Sequence, residues 1–178
     1  MITRHCVALA LLIAMGVFLA GCSHGSGVEL GVFGSSLDSD DLGDGYGGGV
    51  KLELNPIDLV SVDARASYIR FGDPDVDMFP LEAAGLLNTA AFGERFVAYA
   101  GAGVGYYFFN CDEEDLDDAV GFFPVVGLEI GFHRLSVLAE ARWLFLEADV
   151  DSAKDELRNL HDANVDGLGI NIGLLFRF

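Results

Sequence analysis

The chain has 178 residues, enough for one domain preceded by a processed leader. It is 52% hydrophobic and carries a formal net charge of -18, a pairing that is unusual both for a soluble acidic protein and for a helical membrane protein. Its 10 Lys and Arg residues form no patch, which argues against nucleic-acid binding because phosphate contacts need basic side chains.

The first 21 residues predict a secretory signal peptide, with Arg4 as the positive start and an uncharged apolar stretch from residue 7 to residue 20. It ends in Leu-Ala-Gly-Cys at residues 19–22, which resembles the lipobox of bacterial lipoproteins. That resemblance implies cleavage before Cys22, lipid attachment at Cys22 and a short tether over residues 22–27. An ordinary signal peptide with a coincidental cysteine is the first alternative, and an uncleaved membrane anchor is the second, although the apolar run is short for a span of about 20 residues.

From residue 28 onward, apolar residues recur at every second position in segments of about ten residues, which is the pattern of β-strands. The predicted strands lie near residues 28–33, 49–54, 60–68, 78–88, 98–108, 121–132, 136–145 and 168–178. The fourth segment is also compatible with a helix start, and it is interpreted as a strand because the count then closes at eight.

The two faces of these segments differ in kind. In the last segment one face carries Leu168, Ile170, Ile172, Leu174, Phe176 and Phe178, and the other carries Gly169, Asn171, Gly173, Leu175 and Arg177. A sheet in hydrocarbon needs an apolar lipid face, and it must close on itself because every backbone N–H and C=O needs an internal partner. The sequence therefore predicts an all-β fold, an eight-stranded antiparallel up-and-down transmembrane β-barrel over residues 28–178.

The predicted connections alternate in length. Long ones are expected over residues 35–45, 110–119 and 146–166, intermediate ones over 72–77 and 89–95, and short ones over 55–58 and 133–134. Membrane barrels have short periplasmic turns and long outer loops, so an even strand number predicts that both termini are periplasmic. Aromatic residues near both ends of the strands predict two interfacial girdles.

Two segments resemble the small OmpA/OmpW-like outer-membrane β-barrel proteins: FVAYAGAGVGYYF at residues 96–108 and GLLFRF at residues 173–178. The resemblance implies a location in the outer membrane, with outer-membrane lipid, lipopolysaccharide and the barrel-assembly machinery as partners. It also implies that Phe176 and Phe178 form the C-terminal signal for that machinery. The family is functionally mixed, so it implies no specific activity.

Charged residues fall on the face predicted to line the lumen: Glu29, Lys51, Glu53, Asp63, Arg65, Glu82, Glu129, Glu140, Arg142 and Arg177. Eight strands leave an interior just wide enough for side chains to fill, and buried charges must be paired. We therefore expect a plug of salt bridges, with Glu129, Glu140 and Arg142 on adjacent strands as a linked cluster. A polar path for ions or small solutes is the alternative.

No pattern points to a metal, a cofactor or catalysis. Cys111 is the one cysteine left after the leader and the lipidated position, and no Cys/His spacing suits zinc. The acidic loops lack the order of an EF-hand, and they predict a solvated surface or weak cation bridging to lipopolysaccharide. No histidine lies on a predicted strand beside a serine, so no enzyme is predicted.

These observations predict a monomer with a structural or surface-interaction role. A narrow porin-like channel or carrier for small solutes is the first alternative. A soluble periplasmic lipocalin-like binder is the second.

Overall fold

The computed structural model describes residues 27–40, 42–57, 59–72, 75–89, 96–111, 118–148 and 163–178. Its strands are β1 Gly27–Ser39, β2 Gly43–Ile57, β3 Val60–Gly72, β4 Asp75–Thr89, β5 Phe96–Cys111, β6 Ala119–Phe132, β7 Leu135–Leu144, β8 Glu147–Ala148, β9 Ala163–Asn164 and β10 Gly167–Arg177. The predicted signal peptide, Cys22 and the tether up to residue 26 lie outside the described residues.

None of the described residues forms a helix long and apolar enough to cross a membrane.

Eight strands form one closed antiparallel barrel in the ring order β1-β10-β7-β6-β5-β4-β3-β2. Val32 of β1 lies opposite Leu174 of β10 on one side and Val50 of β2 on the other, so the last strand closes on the first. Closure leaves no unpaired strand edge, as a hydrocarbon environment requires. The predicted eight-stranded up-and-down barrel is confirmed, including its fourth strand, β4. The short β8 and β9 pair with each other beyond β7 and β10.

Strand alternation separates two surfaces, as the two-residue period of a strand requires. On β6, Phe123, Val125 and Glu129 are buried inside, whereas Phe122 and Val126 face outward and are more than half exposed.

We call the rim where β1 begins and β10 ends the terminal end, and the opposite rim the loop end. Exposed aromatic residues near the loop end are Tyr46, Tyr68, Phe79, Tyr106, Phe122, Trp143 and Phe145, and those near the terminal end are Phe96, Phe132, Phe176 and Phe178. These two belts match the interfacial girdles of membrane barrels.

The first hairpin corrects a prediction. The expected long loop over residues 35–45 is wrong, since β1 continues through Ser39 and β2 begins at Gly43. The Gly- and Asp-rich composition is typical of turns, yet here glycine makes room inside the barrel. A Cβ atom on Gly45 would lie 2.7 Å from a ring carbon of Phe71 and 2.8 Å from a methyl carbon of Ile69. The next connection at this end is also short, because β3 and β4 leave only residues 73 and 74 between them.

The other connections are closer to expectation. The tight turn at His133 and Arg134 is confirmed, and His133 has a φ of 60°, as the first position of a primed hairpin turn requires. Residues 112–118 separate β5 from β6, and residues 149–162 separate β8 from β9, both at the loop end. The alternation of long and short connections therefore applies to the second half of the barrel and not to the first.

Candidate functional site in the barrel lumen

The lumen gathers the predicted charged residues on its inner wall. Nine of the ten predicted side chains are buried: Glu29, Lys51, Glu53, Asp63, Arg65, Glu82, Glu129, Glu140 and Arg142. Arg177 also faces the lumen but lies at the terminal rim, where its side chain is 51% exposed. Isolated charges are costly to bury, so the function of this interior depends on the hydrogen bonds and ion pairs that each charged side chain makes.

Glu140 of β7 is the centre of the largest group. Arg65 donates hydrogen bonds to both of its carboxylate oxygens. Tyr99 donates its hydroxyl to Oε2 at 3.0 Å, and Asn171 donates Nδ2 to Oε1 at 2.9 Å. Lys51 Nζ lies 3.7 Å from Oε2. One carboxylate thus connects β7 to β2, β3, β5 and β10 across the barrel.

Asp63 joins the two cations of the neighbouring strands. Its Oδ2 accepts a hydrogen bond from Arg65 and lies 3.2 Å from Lys51 Nζ, which is also 3.1 Å from Glu53 Oε2. In the strand register Glu53 lies opposite Asp63, and Lys51 lies opposite Arg65. Like charges in directly opposite positions repel, and the diagonal Lys51–Asp63 pair, together with the pairs along each strand, offsets that repulsion.

A second centre surrounds Glu82 of β4. Its carboxylate accepts hydrogen bonds from Arg142 and, at 2.8 Å, from the Tyr107 hydroxyl. The guanidinium carbons of Arg142 and Arg65 each lie 5.7 Å from the centre of the Phe123 ring. Guanidinium groups near an aromatic face gain cation–π stabilisation, so Phe123 links the two carboxylate centres.

Polar side chains line the terminal rim. Arg177 donates Nε to Glu29 Oε1 at 2.7 Å, and Asn55 donates Nδ2 to the same oxygen at 3.3 Å. Ser61 donates to the Asn55 carbonyl, and Asn88 donates to the Ser61 hydroxyl. These contacts tie β10, β1, β2, β3 and β4 together at this rim.

Glu129, Glu140 and Arg142 do not contact one another, in contrast to the linkage expected from their adjacent strands. The β6 residues opposite Glu140 and Arg142 are Gly127 and Val125, and Glu129 lies opposite Leu138. Glu140 and Arg142 instead reach across the lumen to β3 and β4. Glu129 has no hydrogen bond or ion pair with any other residue in the described part of the chain.

An apolar cluster fills the loop end of the lumen, and sequence reasoning missed it. Its buried members are Leu37, Leu42, Ile69, Phe71, Val76, Met78, Tyr107, Ala119, Leu144, Leu146 and Val165. Phe71 and Leu37 lie beyond the predicted ends of their strands. The sequence does contain a signal for these longer strands, because the two-residue period of apolar residues continues through these positions. The neighbouring glycines and aspartates, which are typical of turns, obscure it.

The outward face becomes polar at the same height along the barrel as this apolar cluster. Asp38, Arg70 and Asp118 are exposed next to interior Leu37, Phe71 and Ala119. Between the aromatic belts the barrel is apolar outside and charged inside. At the loop end it is polar outside and apolar inside, as in a water-soluble barrel.

Direct metal binding is not supported by the described residues, since no three His, Cys, Asp or Glu side chains among them are placed to hold an ion. The arrangement of side chains in the lumen is suited to stabilising the closed barrel. Cross-lumen ion pairs hold opposite walls together, and the apolar cluster fills one end.

Comparisons with known proteins place this architecture. The profile of the outer membrane protein beta-barrel domain family matches residues 6–178. Among solved structures, Neisserial surface protein A matches with a TM-score of 0.65 and 12% identity, covering 86% of this chain and 97% of that one. The outer membrane protein OprG from Pseudomonas aeruginosa matches with a TM-score of 0.63 and 14% identity, covering 86% and 96%.

The N-terminal β-barrel domain of Pseudomonas aeruginosa OprF matches with a TM-score of 0.57 and 16% identity, covering 85% of this chain and 97% of that one. No curated protein matches the sequence. At these identities the solved structures bear on the fold alone, whereas the family profile spans nearly the whole chain. The chain belongs to the family of outer membrane proteins with a β-barrel domain.

Proposed function

We propose that this protein is a monomeric outer-membrane barrel with a structural or surface-interaction role, and that its lumen is filled rather than conducting. The observation that carries the proposal is the double filling of the interior. Ion pairs centred on Glu140 and Glu82 cross the lumen, and the apolar cluster occupies its loop end. An ion that entered the charged half would meet a dry apolar layer, where the desolvation of a charge is costly.

Planar-bilayer conductance tests this role. The purified barrel, inserted from detergent, is expected to give no stable stepwise current in 1 M salt. Folding is checked independently by comparing boiled and unboiled samples in SDS, because a closed membrane barrel resists cold SDS and changes mobility on boiling. Reproducible unitary steps from the folded fraction would instead support the narrow porin-like channel.

The outward surface argues against the soluble lipocalin-like alternative. Exposed aliphatic side chains such as Val50, Val104 and Ile172 lie between the aromatic belts. A barrel in water would place polar residues there, as this chain does only at its loop end. Outer-membrane lipid and, at the loop end, lipopolysaccharide are the partners that suit these two surfaces.

The proposed orientation places the terminal end in the periplasm. Support comes from the two ends of the barrel domain, since β1 begins and β10 ends at one rim. The two longest connections, residues 112–118 and 149–162, leave from the other rim, as outer loops do. An epitope inserted within residues 112–117 should be accessible to antibody on intact cells, and one inserted between His133 and Arg134 should not. The reverse accessibility would contradict this orientation.

Two terminal features complete the proposal. Cys22, five residues before β1, would carry a lipid anchor in the inner leaflet, and loss of palmitate incorporation in Cys22→Ala would test it.

Phe176 and Phe178 face outward with ring centres 5.2 Å apart, which suits recognition by the barrel-assembly machinery. Replacing both by alanine should lower the amount of folded barrel in cells. Unchanged amounts would argue against a role in assembly.

A further inference from the structure

A groove lies on the outward face of the barrel, where β10 runs between β1 and β7. It has a volume of about 380 Å³, and the residues that line it are apolar residues and glycines. Val32 and Gly34 form its β1 side, Ile172 and Leu174 lie on β10, and Val137 lies on β7. Val32 and Ile172 are 59% and 63% exposed, so the groove opens away from the barrel.

The groove crosses the seam at which the barrel closes. In the register of β1 with β10, Val32 lies opposite Leu174 and Gly34 lies opposite Ile172. On the other side of β10, Leu174 lies opposite Val137 of β7. A group that filled the groove would therefore contact both strands of the closing pair at once.

Gly34 leaves room in this groove that the packing of the barrel does not require. A Cβ atom on inward-facing Gly173 would lie 2.5 Å from the Val32 carbonyl oxygen, so glycine is needed there. A Cβ atom on Gly34 would meet nothing closer than 4.0 Å. Val32 and Ile172 beside it carry large side chains, so the missing side chain deepens the groove between them. The space is therefore open to an occupant from outside the barrel wall.

The position of the groove favours an acyl chain as that occupant. Leu174 lies two residues before Phe176 of the terminal aromatic belt, and Val137 lies two residues after Leu135, the first residue of β7. The groove therefore begins on the hydrocarbon side of that belt, in the half of the apolar surface nearer the terminal end. A peptide segment would be costly there, because hydrocarbon leaves its N–H and C=O groups without partners.

The N-terminus of the chain would bring acyl chains to this side of the barrel. Cys22 precedes Gly27, the first residue of β1, by five residues, and five extended residues reach at most about 18 Å. Val32 lies five residues farther along β1, which is about 17 Å of strand. At the usual tilt of about 45°, that is about 12 Å of depth, and one leaflet of hydrocarbon is about 15 Å deep. An acyl chain that starts at the terminal rim is long enough to reach the groove.

We propose that an acyl chain of the lipid on Cys22 lies in this groove, along the seam between β1 and β10. The inference rests on the proposed lipidation of Cys22 and adds where that lipid binds. The short tether keeps the lipid beside β1, whereas β4 and β5 lie three and four strands away around the ring. The bound chain would cover the closing seam on its lipid side.

Photo-crosslinking from the lipid tests this position. Cells are fed a fatty acid that carries a diazirine within its chain, and the outer-membrane fraction is irradiated before the barrel is purified and digested with trypsin. Mass spectrometry should find the lipidated Cys22 peptide joined to peptides 135–142 of β7 and 159–177 of β10, and much less to peptide 71–95 of β4. Lipidated protein with cross-links spread evenly around the barrel would overturn the inference alone. Phospholipid adducts on the β7 and β10 peptides, without links to Cys22, would also overturn it by making free lipid the occupant.

Two leucine variants test the groove itself. Gly34→Leu fills the groove, so the cross-links to peptides 135–142 and 159–177 should fall to the level found on peptide 71–95. Gly85→Leu adds the same side chain to the outward face of β4, where a Cβ atom meets nothing within 4 Å, and should leave the cross-links unchanged. Mobility in SDS before and after boiling shows that both variants fold. Equal cross-linking in the two folded variants would contradict the inference, whereas a wild-type protein without lipid on Cys22 would refute the proposed lipidation as well.

Discussion

At the scale of single residues, glycine decides which large side chains the lumen can hold. A Cβ atom on Gly127 would lie 2.1 Å from the Tyr99 ring, and one on Gly103 would lie 2.4 Å from the Phe123 ring. The barrel interior is just wide enough to be filled by side chains. A bulky side chain therefore fits only where a neighbouring inward position is a glycine. Gly101 and Gly105 lie on the same strand, and a Cβ atom on either would lie under 3.0 Å from a neighbouring atom.

A matched pair of glycines tests this spacing. Gly103→Ala should lower the free energy of unfolding by about 1–3 kcal/mol, because it overpacks a filled interior. Gly85→Ala faces lipid, where a Cβ atom would meet nothing within 4 Å, and it should cost nothing measurable. Reversible urea unfolding in lipid bilayers measures both. Equal losses would show that the crowding around Phe123 is not what requires glycine.

At the scale of elements, the longest connection begins and ends in a stem, residues 145–148 and 163–166, whose buried residues belong to the barrel core. Leu146 and Val165 are buried in the apolar cluster, and Val165 donates its backbone N–H to the Leu146 carbonyl at 3.0 Å. Asp166 accepts the Leu146 N–H at 2.7 Å. Just past the end of β7, Phe145 exchanges two backbone hydrogen bonds with Phe122 of β6, and the two rings stack with centres 4.8 Å apart. The stem therefore stabilises the barrel independently of the residues it connects.

Shortening the connection separates these roles. Replacing residues 149–162 by a short Gly-Ser linker should leave the heat-modifiable barrel intact, because the β8–β9 pairing and the Leu146–Val165 contact remain. Leu146→Ala in the full-length chain should lower the free energy of unfolding by about 2–5 kcal/mol, as expected for a cavity in a packed core. Urea unfolding compares the two variants. A larger loss from the shortened chain than from Leu146→Ala would contradict this division.

At the scale of the whole molecule, one barrel combines two opposite radial patterns. A membrane strand needs about 9–11 residues to cross the hydrocarbon, and β5 has 16. The surplus lies at the loop end, where the outward face becomes polar and the interior becomes apolar. The barrel therefore extends past its apolar belt as a small barrel with a polar outer face, which offers a rigid base for the loop-end connections.

The single tryptophan tests this placement. Trp143 is 46% exposed on the outward face, at the loop-end boundary of the apolar belt. In liposomes its fluorescence should be quenched more by bromine atoms placed near the lipid headgroups than by bromine at the chain ends, as expected for an interfacial aromatic. Aqueous iodide should quench it weakly. Strong iodide quenching without a bromine effect would contradict the proposed membrane boundary.

Much of the barrel could be predicted because alternation is a local property of the chain. Each strand shows its two faces within ten residues, so the strand count and the inward direction of Glu140 and Arg142 follow from the sequence. Strand ends were harder. The stretch from Ser35 to Gly45 has the composition of a turn, and only pairing with β1 and β3 makes it a ladder.

The sequence by itself determined which residues of the predicted strands face inward, because a two-residue period requires nothing beyond the strand. The tertiary structure alone decided how those residues combine. Arg65 binds Glu140 from a strand 75 residues away, whereas Glu129 on the far wall forms no hydrogen bond or ion pair among the described residues. Ion pairs and the apolar cluster depend on distances across the lumen, and those distances exist only after β10 has closed on β1 in its particular register.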